Sequence, residues 1–102
     1  TDSLADDPMS NMQLSNNAMA WVVKIFKDNS KKIILTGGGG YNPWILARAW
    51  TYNLAELLSV NIENSINENA KNILKNIKWN KKIKKDKLKF WNNSIKDKIN
   101  IF

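Results

Sequence analysis

The chain of 102 residues contains neither cysteine nor histidine. Without thiols it can build no disulfide framework and no thiolate metal site, and the composition fits a reducing, cytoplasmic setting. Without histidine the commonest general base is missing, so His-dependent nucleophilic triads are excluded within these residues. No apolar run approaches the roughly 20 residues that cross a bilayer, and no membrane partner is expected. The opening TDSLADDPMS also lacks the basic-then-apolar order of a signal peptide. It begins at Thr rather than Met and runs directly into an acidic stretch, which leads to the expectation of a start inside a longer reading frame. All four glycines are consecutive, at Gly37 to Gly40, and no Gly-Lys-Ser/Thr follows them, so a phosphate-binding P-loop is not expected.

Positive charge is abundant but uneven. The net charge is +7, yet residues 71–102 carry 11 lysines against Asp86 and Asp97, which leaves −2 for the first seventy residues. Lys, Asn and Ile are all encoded by A/T-rich codons, so the basic segment reads as a compositionally biased, solvated tail over 80–102. Nucleic acid is not an expected partner. Residues 1–79 read as the structured part.

Hydrophobic spacing gives the local elements. Ser15 is a suitable cap for a helix to about Asp28, with Ala18, Trp21, Val22, Ile25 and Phe26 at spacings of three and four. The run Lys32-Ile33-Ile34-Leu35-Thr36 is short, β-branched and without alternation, as strands buried on both faces are. Asn42-Pro43 places a capping side chain before a first-turn proline, predicting a helix to about Ser59. Ser65 and Glu68 have capping-box spacing ahead of a third helix carrying Ile66, Ala70, Ile73, Leu74 and Ile77. From Asn80 on, a loop with one short helix is expected. Trp21 and Trp50 read as core, and the helical spacing of Trp44, Arg48 and Glu56 reads as a cation–π or structural ion-pair arrangement.

Helix, strand, helix in that order indicates an α/β fold with a parallel sheet flanked by helices. A single strand cannot satisfy its own backbone groups, so its partners must lie elsewhere, and the chain reads as a slice of a domain.

The residues able to carry chemistry are few. In open α/β sheets ligands bind at the carboxyl ends of strands, which puts Tyr41, at the end of GGGGY, in such a position. Taken alone, the segment is equally a flexible strand-to-helix connection. Asp2 can ligate a metal, but a catalytic zinc takes about three protein ligands, and by itself Asp2 reads as an ordinary surface or capping aspartate.

The string IILTGGGGYNPWILARAWTYNLAELL resembles the segment around the catalytic tyrosine of zinc-dependent histone deacetylases, most closely their bacterial acetoin-utilisation branch. TDSLADDPM, followed by LSNNA, is similar to the family's stretch bearing its last zinc-ligating aspartate. The resemblance implies a C-terminal slice of an arginase/deacetylase-like fold. It also implies a zinc-dependent amidohydrolase acting on acetylated lysine side chains or an acetylated small amine. Position by position it implies Asp2 as a zinc ligand, Tyr41 as the phenol that stabilises the oxyanion, and Met9 and Gly39 as lining of the acyl channel. The family's Asp-x-His pair and tandem histidines have no counterpart here, so the chain alone is expected to be inactive. An acetylpolyamine amidohydrolase, or a non-catalytic basic binding remnant using Lys81 to Lys89, are the alternatives.

Overall fold

In a computed structural model, residues 1–99 are described, and their regular structure is helical. Four helices follow one another: α1 (Asn16–Asn29), α2 (Pro43–Leu57), α3 (Glu68–Lys75) and α4 (Lys85–Trp91). The first two begin where the capping residues place them. Ser15 Oγ accepts the Ala18 amide at 3.2 Å, and Asn42 Oδ1 accepts those of Trp44 and Ile45 at 3.2 and 3.5 Å, with Pro43 at the first helical position.

Two expectations are corrected. Among the described residues there is no strand and no sheet; residues 32–36 are non-helical and exposed. A strand needs a neighbour to accept its ladder of N–H and C=O groups, and none lies within the described chain. The third helix is capped by Asn67 rather than Ser65, Asn67 Oδ1 accepting the Ala70 amide at 2.9 Å. Ser65 is held two residues earlier, in an antiparallel bridge to Ser94.

Packing is one-sided. A buried cluster of Leu4, Trp44, Ile45, Ala49, Ile66, Leu74 and Trp91 gathers Trp79, Leu88, Phe90 and Ile95 around it. Trp44 is its centre: the indole meets Trp79 edge-on at 5.9 Å, stacks on Trp91 at 6.3 Å, and donates from Nε1 to the Leu74 carbonyl at 3.1 Å. Burying an indole with its N–H satisfied is the favourable way to place a tryptophan in a core.

The segment after Asn80 contributes to this cluster through Trp91 and then crosses back. Ile95 donates to the Asn64 carbonyl at 2.7 Å, and Ile66 to that of Asn93 at 3.2 Å. Asp97 then reaches both first helices. Its Oδ2 accepts the Asn16 amide at 2.7 Å, an uncapped first-turn N–H of α1, while Oδ1 accepts from the guanidinium of buried Arg48 at 2.7 Å. Arg48 also donates to the Ser94 carbonyl at 2.6 Å and lies over the Phe90 ring at 5.0 Å. The partners of Arg48 are thus Phe90 and Asp97, not Trp44 and Glu56.

The other side of α1 is open. Ala20 and Val23 are buried, whereas Trp21, Val22, Ile25 and Phe26, expected to face the core, are exposed, as is Trp50 on α2. No helix among the described residues is long and apolar enough to cross a membrane.

Candidate active site

The N-terminal loop and the glycine loop meet at the start of α2, and the side chains of Thr1, Asn42 and Asp7 hold them together. The Thr1 hydroxyl donates to the Gly39 carbonyl at 2.7 Å and accepts from Trp50 Nε1 at 3.3 Å. Asn42, fully buried, donates from Nδ2 to the Asp6 carbonyl at 3.2 Å while its oxygen caps α2. Asp7 is buried and accepts twice: Met9 N–H on Oδ1 at 2.9 Å and Tyr41 N–H on Oδ2 at 2.7 Å.

Close approach explains the glycines. Gly39 has φ +62°, and a Cβ there would lie 2.9 Å from the Thr1 nitrogen and 3.2 Å from Asp2 Oδ1. Gly40 has φ +90°, and its Cβ would fall 2.6 Å from Leu46 Cδ1. A side chain at either position would be strained by the backbone conformation and would force its neighbours to shift. Asp6 takes the left-handed region without being glycine, φ 68°, at the turn where its carboxylate pairs with Lys87. Aspartate is among the few side chains that tolerate that conformation.

Of the residues singled out from sequence, Asp2 and Gly39 are neighbours across the two loops, the Asp2 carboxylate occupying the space a Cβ on Gly39 would approach. Met9 and Tyr41 are joined through the two oxygens of one carboxylate. Met9 and Tyr41 are themselves exposed, 67% and 53%. Asp2 is also exposed, with the N-terminal amino group 3.9 Å from its carboxylate.

Among the described residues no group of three or more His, Cys, Asp or Glu could hold a metal ion. Asp2 offers a single carboxylate arm, which is one ligand and not a site. The described residues therefore do not make a complete zinc centre by themselves.

Sequence reasoning missed Asp7 and Thr1, and recognised Asn42 only as a helix cap. Half of the Asp7 geometry has a local signature. An aspartate accepting the amide two residues on is an Asx turn, and Asp-Pro favours it. The other half joins residues 34 apart in sequence and leaves no local mark.

Residues 1–57 match the family described as "Histone deacetylase domain". Histone deacetylase 9 of Arabidopsis thaliana is 40% identical over 68 residues, which is 67% of this chain and 16% of that protein. Putative histone deacetylase 2 of Caenorhabditis elegans is 35% identical over 66 residues, 65% of this chain and 13% of its own. Human histone deacetylase 1 is 33% identical over 66 residues, 65% of this chain and 14% of its own. The chain thus spans less than a fifth of the length of these relatives. No solved structure matches it. Matched across more than half its length, this chain belongs to the histone deacetylase domain family.

Proposed function

We propose that the chain forms the C-terminal edge of the active site in a zinc-dependent amidohydrolase of the acetoin-utilisation branch, which deacetylates acetyl-lysine or a similar acetylated amine. The observation that carries this reading is the junction of the two loops. The Asp2 carboxylate and the Gly39 backbone face each other there, and Tyr41 follows two residues later.

In this reading Asp2 would be one carboxylate ligand of a zinc ion that would polarise the amide carbonyl, and its other ligands and the general base would have to come from outside these 102 residues, which hold no histidine or cysteine. Tyr41 donates its phenolic hydrogen to the oxygen that gains charge as the amide carbonyl is attacked, a contribution of about 3 kcal/mol for comparable oxyanion donors. Met9 and Gly39 line the path of the acyl chain, where the absence of a side chain at residue 39 keeps the passage narrow but clear.

The test is acetate release by the whole protein from an acetyl-lysine peptide and from an acetylpolyamine, with bound zinc measured alongside. Tyr41→Phe should lower kcat by about 100-fold or more while leaving zinc content unchanged. Turnover near the wild-type level would remove Tyr41 from the mechanism. The 102-residue chain should release no acetate, and hydrolysis by it would overturn the reading.

A further inference from the structure

We propose that Asp7 is the positioning residue of this site: one buried carboxylate uses its two oxygens to fix the backbone of Tyr41 against the loop that carries Asp2 and Met9. The role assigned to Tyr41 rests on the deacetylase reading above; the clamp itself does not.

Each oxygen of Asp7 serves a different loop, Oδ1 its own through Met9 N–H at 2.9 Å and Oδ2 the glycine loop through Tyr41 N–H at 2.7 Å. Hydrogen bonds from an amide to a carboxylate are charge-assisted and stronger than neutral ones. Pro8, lying between Asp7 and Met9, has no N–H to compete for Oδ1 and fixes its own φ, so the turn is stiff on the side that must not move. On the other side, the glycine loop has the greatest freedom of any backbone, two of its residues having positive φ. A phenol displayed at the end of four glycines needs an anchor at its own backbone. Asp7 supplies it from the loop bearing Asp2, at the amide of Tyr41 itself, whereas Thr1 and Asn42 join the two loops at the neighbouring Gly39 and Asp6 carbonyls.

The chemistry makes the idea sharp. Asparagine has nearly the same shape but one acceptor oxygen; its NH₂ would present a donor to an amide donor. Asp7→Asn can therefore keep one of the two bonds and not both, and Asp7→Ala can keep neither.

Amide hydrogen exchange in the 102-residue chain reads this directly. In Asp7→Asn, Met9 or Tyr41 should exchange about tenfold faster or more, with both fast in Asp7→Ala. Helix amides such as those of Val23 and Ala49 should be unchanged, and the ¹⁵N order parameter of Tyr41 should fall in Asp7→Ala. Undiminished protection of both amides in Asp7→Ala would overturn the proposal. So would equal loss of protection throughout α1 and α2 in Asp7→Asn, which would make Asp7 a support of the fold and not of Tyr41. In the whole protein Asp7→Asn should lower kcat more than it raises KM. A wild-type protein without deacetylase turnover would sink the functional reading while leaving the exchange result decisive for the clamp.

Discussion

The two sides of α2 treat tryptophan in opposite ways. Toward α3 and α4, Trp44 and Trp91 are 4% and 5% exposed and stacked on each other; toward α1 and the glycine loop, Trp50 and Trp21 are 46% and 63% exposed. The first side is complete within the chain. The second presents a cavity of about 850 Å³ between Val22, Leu35, Trp50 and Leu54 that nothing in the described residues fills. An apolar face of this kind is ordinarily covered by something. Next to it run residues 32–36, apolar and without pairing. The difference teaches that fold completeness is local: one side of α2 closes a core with Leu4 and the C-terminal segment, while the side that faces α1 and the glycine loop leaves its apolar surface uncovered.

The sharpest way to break that contrast is to empty the closed side. Trp91→Ala removes a stacked, buried indole, and urea unfolding should show a loss of about 3–5 kcal/mol. Trp21→Ala should change the same midpoint by no more than about 0.5 kcal/mol. Equal losses would show that the open side is closed in solution. Next in size is the clasp: Asp97→Ala leaves buried Arg48 without its carboxylate and α1 without a first-turn acceptor, for about 3 kcal/mol. If the C-terminal segment were only a solvated tail, that substitution would be silent in the same measurement.

The smallest effect belongs to the exposed pair Lys24–Asp28 on α1, at 2.5 Å. Hydrogen bonding to Lys24 holds the Asp28 carboxyl below its ordinary range. A lowered folded-state value means stabilisation that is present above the unfolded value and is lost as pH falls through the folded one. Asp28→Asn should therefore lower the urea midpoint slightly at pH 7 and not at all once the carboxylate is protonated. A difference that persisted in acid would point to another cause.

Helix starts were legible because their signals are local: Ser15, and Asn42 with Pro43, act within three residues of themselves. The start of α3 was misread because Ser65 has the right spacing but is drawn into a pairing with Ser94. Lys84, before α4, makes no side-chain cap hydrogen bond, so its sequence offered little to read. Residues 32–36 have strand composition, yet composition supplies only half of a ladder. At the site, Tyr41, Gly39, Asp2 and Met9 could be picked out by resemblance. Asp7 could not, because its long-range partner is a backbone amide, and any residue but proline would provide one.

The Asp97 clasp also has a consequence in time. Its contact with Asn16 spans 81 positions, so during synthesis the Asn16 amide must wait for that length of chain before it meets its acceptor. Loop closure of that length is entropically costly to reach early, and long-range contacts slow the final step of folding. A nascent chain stalled before residue 97 would hold the start of α1 by the Ser15 cap alone, with the Asn16 amide unpaired and Arg48 without its anion.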